Sequence, residues 1–170
     1  MTLIQALSFL PFALPIAIWV SWSDMKFMKI PNKAVIAMAS VWLVVGLLLV
    51  LLHQMPFYTW AWGWALLVIV LAIGFVANMI SLIGAGDAKF AAAMAPFFVM
   101  ADVRFGLGLF AACLLAAFVI HRVARRIPAL KPMTTTWVSW TNKDFPMGLA
   151  LSGTLIFYLA SPVWFYLRAS

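Results

Sequence analysis

The sequence predicts an all-α fold, a polytopic membrane protein with about six transmembrane helices and both termini on the non-cytoplasmic side. Hydrophobic residues make up 67% of the 170 residues and charged residues only 9%, whereas soluble domains are about half apolar and about a quarter charged. These proportions exclude a soluble globular protein. The net charge of +7 therefore indicates contact with anionic phospholipid, and we expect no nucleic-acid partner because too little polar surface is available.

A helix needs roughly 20 apolar residues to cross a hydrocarbon core of roughly 30 Å. Six segments are candidates, in chain order: Leu3–Trp22, Ala34–His53, Trp60–Ser81, Ala88–Met100, Phe105–His121 and Met147–Leu167. We expect the first segment to be a retained helix rather than a signal peptide, because neither Lys nor Arg precedes it. The fourth segment is too short for a full span, so either the bilayer thins there or Asp87 lies below the membrane surface.

The orientation follows from the eleven Lys and Arg residues, because short loops rich in these residues stay in the cytoplasm. All but Arg104 and Arg168 fall in the loops after the first, third and fifth segments, which places both termini outside the cytoplasm. The one long loop, 122–146, mixes cations with tryptophans and is expected to lie along the cytoplasmic interface. Its cations are expected to bind anionic phospholipid or, alternatively, an acidic residue of a substrate. Residues 1–170 are expected to form a single integral membrane domain.

Carboxylates are scarce, since the chain contains four Asp and no Glu. Asp24 and Asp87 both lie at the cytoplasmic ends of predicted helices, so they can meet at one depth in the membrane. Two adjacent carboxyls hold a single proton, and such a pair can activate water and polarise a peptide carbonyl, as in aspartic proteases. The alternative is that each Asp caps a helix or pairs with a lysine. Lys26 and Lys89 make pairing unfavourable, because a spacing of two residues puts the side chains on different helix faces.

The residues around Asp87 form the first of three motifs. Gly84-Ala85-Gly86-Asp87-Ala88-Lys89 resembles the Gly-x-Gly-Asp motif of membrane-embedded aspartyl proteases, and the trailing Ala-Lys is typical of prepilin peptidases. Two glycines before the Asp allow the backbone to pack tightly or to take positive φ.

The residues after Asp24 form the second motif. Asp24 followed after five residues by Ile30-Pro31-Asn32 resembles the pattern around the first catalytic aspartate of the same family. Pro31 suits the first turn of the following helix. A third motif, with a Pro-x-Gly pattern, resembles the start of the family's final helix and contains Pro146 and Gly148.

The resemblance implies a type IV prepilin peptidase of the bacterial inner membrane, which cleaves the short basic leader of pilin precursors at the cytoplasmic face. Carried over by motif, Asp24 and Asp87 are the catalytic pair, and the other motif residues are candidates for substrate binding. The larger members have a cytoplasmic insert with paired Cys-x-x-Cys, which this sequence lacks, so no methyltransferase domain is expected. The compact form resembles the minimal peptidases of tight-adherence (Flp) pili, and archaeal relatives share the core motifs.

The alternative function is a non-enzymatic membrane carrier or pilus-assembly scaffold that uses its Asp residues to bind ions or protons. Helices broken near the middle of the bilayer and a two-fold repeat would favour that function, and the sequence has neither. The aspartates lie at one face of the membrane rather than at its centre. The sequence therefore favours the peptidase.

The remaining polar residues have structural interpretations. Asp102 is expected at a turn on the opposite side of the membrane, and Asp144 is expected near a helix start, with substrate binding as the alternative. His53 and His121 lie at helix ends on opposite faces of the membrane, and their spacing is not that of metal ligands. Cys113 lies within an apolar helix, where we expect a buried packing thiol. We therefore expect no metal and no cofactor.

Chelators and thiol-alkylating reagents are expected to leave leader cleavage intact, because catalysis by two carboxyls needs neither a metal nor a thiolate. The measurement is the rate of leader removal from a purified prepilin, with and without EDTA and after alkylation of Cys113. No S-adenosylmethionine-dependent methylation of the trimmed pilin is expected. A loss of turnover in EDTA that added zinc restores would contradict the aspartyl mechanism.

Overall fold

The computed structural model describes residues 1–127, 134–142 and 144–169, and these residues form a bundle of six α-helices without strands. The helices are α1 (Leu3–Phe27), α2 (Asn32–Leu51), α3 (Phe57–Met79), α4 (Ala85–Met94), α5 (Val103–Ala124) and α6 (Met147–Ala169). Two short 3₁₀ helices follow α4 and precede α6, at Ala95–Phe98 and Val138–Trp140. The predicted all-α class is confirmed.

Five of these six helices, all except α4, are long and apolar enough to cross a membrane. The α4 helix has only 10 residues, and its 3₁₀ continuation through Pro96 extends it to roughly 20 Å. The helix begins at Ala85, before the predicted start at Ala88, so Asp87 lies in its first turn. The predicted short fourth segment is therefore present, but it is not a full span.

The helices alternate in direction. The start of α1 lies beside the turn after α2, where Gln5 Nε2 donates to the Gln54 carbonyl at 2.8 Å. The end of α1 lies beside the start of α6, and these two helices form the most extensive helix pair. Both chain ends therefore lie at one end of the bundle. The other end, which we call the aspartate end, contains Asp24, Asp87 and Gly148.

Aromatic side chains form the centre of the core. Trp42 is fully buried and stacks on Phe9 with ring centroids 5.3 Å apart, while Phe97 meets both rings edge-on at 5.1 and 5.4 Å. The indole N–H of Trp42 donates to the Trp60 carbonyl, and that of Trp60 donates to the Trp42 carbonyl, each at 3.3 Å. These reciprocal hydrogen bonds fix α2 against α3, because each indole N–H is satisfied by the opposite helix.

Two glycines allow α3 to approach its neighbours closely. A Cβ at Gly63 would lie 2.5 Å from Trp42 Cζ2, and a Cβ at Gly74 would lie 2.9 Å from the Ala88 Cβ. In a membrane, where lipid is as apolar as leucine, such close backbone contacts drive much of helix association. Gly63 therefore sets the distance between α3 and α2, and Gly74 sets the distance between α3 and α4.

Gly63→Ala is expected to destabilise the bundle by about 1–3 kcal/mol, because the added methyl overlaps an indole that cannot move without losing its stacking and hydrogen bonds. The measurement is thermal unfolding of the purified protein in detergent. Gly108→Ala is the matched control on α5, where nothing lies within 4 Å of the added Cβ. Equal melting temperatures for the two variants would contradict this role of Gly63.

Candidate active site

Asp24 lies in the last turn of α1, because the helix continues past the predicted end at Trp22 to Phe27. The Asp24 side chain is only 5% exposed. The helix then ends at Met28, which takes a left-handed conformation with φ 52° and donates its N–H to the Asp24 carbonyl at 2.8 Å. The buried Ser23 hydroxyl donates to the Lys29 carbonyl at 2.9 Å. These two hydrogen bonds hold the short connection between α1 and α2, and neither Ser23 nor Met28 belongs to a motif in the sequence.

The Asp24 carboxyl is held by the last helix of the bundle. The buried backbone N–H of Gly148 donates to Asp24 Oδ2 at 2.7 Å. Gly148 lies in the first turn of α6, where backbone N–H groups have no partner within the helix and favour an anionic acceptor. A Cβ on Gly148 would lie 2.9 Å from both Cβ and Oδ2 of Asp24. At this position of the third motif, a side chain larger than that of glycine would overlap the Asp24 carboxyl. Pro146, two residues earlier, is also buried.

Asp87 is half-buried in the first turn of α4, which Gly84 precedes as the N-cap residue. Burial raises the pKa of the Asp87 carboxyl above its usual value, and the nearby Gly84 N–H, which favours the charged form, offsets part of that rise. A Cβ on Gly84 would lie 2.7 Å from Asp87 Oδ2. Gly84 has φ −68°, and none of the chain's glycines has positive φ. The sequence offers two reasons for Gly84 and Gly86, namely tight packing of the backbone and a positive φ. The structure confirms tight packing, and the expectation of a positive φ is wrong.

The two aspartate motifs pack against each other. A Cβ on Gly86 would lie 3.3 Å from the Cβ of the buried Ile30, and Lys89 Nζ donates to Asn32 Oδ1 at 3.4 Å. Pro31 is the N-cap residue of α2. The motif after Asp24 lies at the start of α2, and the motif around Asp87 lies at the start of α4. The two motifs therefore contact each other directly.

Asp24 and Asp87 therefore lie at the same end of the bundle, on motifs that contact each other. Neither nearby lysine is directed at the pair. Lys26 Nζ lies over the rings of Trp22 and Phe27, 4.8 and 5.1 Å from their centroids, while the exposed Lys89 contacts Asn32 as described above. Where two poorly solvated carboxyls meet without a cation between them, they favour a state that shares one proton.

The remaining aspartates occupy different positions. Asp102 is exposed at the opposite end as the N-cap of α5, where its side chain accepts the Phe105 N–H at 3.0 Å, so its predicted turn role is confirmed. Asp144 is exposed at the aspartate end, and its N–H donates to Asn142 Oδ1 at 3.1 Å. It lies three residues before α6. Neither Asp102 nor Asp144 has a contact that joins it to the pair.

The predicted packing role of Cys113 is confirmed, because its thiol is buried between α5 and α6. His53 is exposed in the turn after α2, whereas His121 is buried in the last turn of α5. Across residues 1–127, 134–142 and 144–169, no group of three or more His, Cys, Asp or Glu side chains could hold a metal ion. Lys131 and Lys143, two of the predicted loop cations, lie outside the described residues.

The chain was compared with known proteins. A model of the type IV leader peptidase family matches residues 12–121. That range covers well over half of the chain and contains Asp24, Asp87 and the motifs around them, whereas Gly148 lies beyond it. No curated protein and no solved structure matches the chain.

Gly148→Ala is expected to lower kcat/KM for leader cleavage by about 10- to 100-fold, because the methyl forces the Asp24 carboxyl away from its position and lengthens its hydrogen bond. Gly153→Ala is the matched control on the same helix, since its Cβ would meet Cys113 Sγ at an ordinary 3.8 Å. Melting temperatures of both variants show whether the fold is kept. Equal kcat/KM values for folded samples of the two variants would overturn the role of Gly148.

Proposed function

Because the chain belongs to the type IV leader peptidase family, we propose that it is a membrane-embedded aspartyl endopeptidase that uses Asp24 and Asp87 to remove the basic leader of type IV prepilins. Membership in the family makes the chain a peptidase, and therefore a hydrolase, with a prepilin as its substrate. The single observation that supports the aspartyl mechanism is the direct contact between the two aspartate motifs at one end of the bundle, where Gly86 meets Ile30 and Lys89 donates to Asn32.

The chemistry follows from a pair that holds one proton. The ionised carboxylate takes a proton from water while the water oxygen bonds to the scissile carbonyl carbon, and the protonated partner gives its proton to the carbonyl oxygen. When the tetrahedral intermediate collapses, the C–N bond breaks and the first carboxyl gives its proton to the departing nitrogen. The second carboxylate takes a proton from a hydroxyl of the intermediate. The pair returns to its starting protonation state, ready for another substrate.

The charge distribution supports a cytoplasmic active site. The aspartate end carries most of the described cations, namely Lys26, Lys29, Lys33, Lys89, Arg122, Arg125 and Arg126, whereas Arg104 and Arg168 lie at the opposite end. By the positive-inside rule the aspartate end faces the cytoplasm, which is where a newly made prepilin presents its leader. The protein is then a multi-pass inner-membrane protein with both chain ends on the outer side.

The finer substrate class in this proposal is a pilin of the tight-adherence (Flp) type. It rests on the resemblance of the compact core to the minimal peptidases that serve those pili. Only Met28–Pro31 separate α1 from α2, so a short connection joins Asp24, in the last turn of α1, to the Ile-Pro-Asn motif at the start of α2. We propose that the remaining motif residues form or support the surface that binds the substrate chain, with the exposed Gly84 leaving space for it beside Asp87.

Asp24→Asn and Asp87→Asn are each expected to lower leader cleavage by about a thousandfold or more, because an amide neither accepts the proton of water nor donates one as a carboxyl does. The effects are expected not to add, so the double variant resembles either single variant. The measurement is turnover of a purified prepilin, with the new N-terminus determined by mass spectrometry. Insertion and melting temperature are compared with those of the wild-type protein.

Asp102→Asn is the matched control, because Asp102 is also a helix-end aspartate but lies at the opposite end of the bundle. Its turnover is expected to stay within about twofold of wild type, since an Asn also serves as an N-cap residue. A folded Asp24→Asn or Asp87→Asn protein with near wild-type turnover would rule out the aspartate pair.

A further inference from the structure

A polar cavity of about 350 Å³ opens at the aspartate end between the end of α5 and the segment that leads into α6. The α5 wall contains Arg122 and Arg125, and the opposite wall contains Asn142 and Asp144. We propose that this cavity binds the phosphate group of an anionic phospholipid headgroup. This site is separate from the aspartate pair, and of the residues that line it only Phe145, at the start of the third motif, belongs to the sequence motifs.

The charged groups of the cavity favour an anion. Arg122 and Arg125 carry two positive charges against the single negative charge of Asp144. The Arg122 guanidinium lies 5.1 Å from the ring centroid of Phe118, which holds the guanidinium at the rim without neutralising it. A guanidinium presents N–H donors in a planar fork that matches two phosphate oxygens. The excess positive charge and the two forks together suit a phosphate group.

A neutral donor adds to the two guanidinium groups. The Asn142 side-chain oxygen accepts the Asp144 backbone N–H at 3.1 Å. This hydrogen bond orients the amide, and within the described residues its N–H groups have no partner. An amide held in this way offers a hydrogen-bond donor to an anion in the cavity.

The cavity floor is packed with rings and includes an unpartnered polar atom. The His121 ring is 5% exposed, stacks on Trp140 at 5.2 Å and meets Phe145 edge-on at 5.9 Å. Its Nε2 has no hydrogen-bond partner in the described part of the chain. A buried polar atom without a partner costs free energy, so an ordered water that donates to Nε2 and to the bound phosphate is stabilising.

The position of the cavity selects a lipid over a soluble anion. Trp137 and Trp140 stack at 5.7 Å beside it, and tryptophans concentrate at the headgroup layer of the membrane. The α5 helix is long and apolar enough to span the membrane, and both arginines lie at its cationic end. A headgroup phosphate is therefore present at the mouth of the cavity at high local concentration.

A bound headgroup would connect the cavity to the Asp24 site. Phe145 lies in the cavity wall, and three residues later Gly148 donates to Asp24. A phosphate that contacts both α5 and Asn142 holds the segment from 134 to the start of α6 against α5. We expect this segment to open less often when the lipid is bound, and therefore to exchange its amide hydrogens more slowly.

The test uses the full chain in nanodiscs of phosphatidylcholine alone or with phosphatidylglycerol added. Native mass spectrometry measures how much phosphatidylglycerol stays bound after release from the disc, and hydrogen exchange measures protection of the segment that leads into α6. Two variants are tested. The first combines Arg122→Gln with Arg125→Gln. The second is Asn142→Asp, which keeps the shape and the acceptor oxygen of the side chain but replaces the N–H donor with a negatively charged oxygen. Arg126→Gln is the matched control, because Arg126 follows α5 but does not line the cavity.

We expect wild type and Arg126→Gln to retain phosphatidylglycerol equally, and the Arg122/Arg125 double variant and Asn142→Asp to retain about fivefold less or lower still. Slower exchange of the segment should appear only in wild type and the control, and only with phosphatidylglycerol. Equal retention by all variants, or an equal loss in Arg126→Gln, would overturn a localised site in favour of diffuse surface charge. Neither readout uses peptidase activity, so the test is independent of the proposed function.

Two competition arms identify the source of the anion. Inorganic phosphate at millimolar concentration is expected not to displace the lipid, and saturation of the cavity by phosphate in phosphatidylcholine discs would assign the site to the free ion instead. A soluble acidic peptide is likewise expected not to compete. Displacement of phosphatidylglycerol by that peptide, with loss of the effect in the double arginine variant, would make the cavity a substrate-carboxylate site and overturn the lipid assignment.

Discussion

The hydrogen bond from the Gly148 N–H to Asp24 is the interaction on which the arrangement of the bundle depends. A carboxyl that is 5% exposed at the edge of hydrocarbon needs a donor, because its desolvation is otherwise not offset. The first turn of α6 supplies one at 2.7 Å from a backbone group that has no partner within its own helix. This requirement brings the first and last helices together as the most extensive helix pair of the bundle. It also excludes a side chain at Gly148.

The short α4 helix positions the second carboxyl, that of Asp87. Since α4 and its 3₁₀ continuation reach only roughly 20 Å, they are shorter than a hydrocarbon core of roughly 30 Å. The structure places Asp87 in the first turn of this short helix, half-buried by the surrounding helices. Close contacts of Gly74 with Ala88, and of Gly86 with Ile30, hold α4 against α3 and against the start of α2. The position of α4 and the hydrogen bond between Gly148 and Asp24 leave both carboxyls at the same end of the bundle.

A site at the cationic end of the bundle suits the proposed cleavage of a substrate that crosses the membrane surface. The surrounding helices bury Asp24, which is 5% exposed, and half-bury Asp87, which reduces the solvation of both carboxyls. Reduced solvation disfavours two ionised carboxyls and favours one shared proton, which is the state that the proposed hydrolysis needs. Lys26 contacts two rings and Lys89 contacts the Asn32 amide, so the contacts of these two lysines are made away from the aspartates.

Composition and local pattern determined the fold class, five of the spans, the short fourth segment and the two aspartates, because each depends on residue type and on spacing within one segment. The tertiary structure alone decided where α1 ends, since Ser23 and Asp24 interrupt the apolar run and predict an end at Trp22. In the bundle, Ser23 bonds to the Lys29 carbonyl and Asp24 to Gly148, so the helix continues to Phe27. Local sequence pattern also does not predict the Trp42–Trp60 hydrogen bonds or the cavity beside His121. Each joins residues that are distant along the chain, and the distance between them in space is set by side-chain packing and not by sequence spacing.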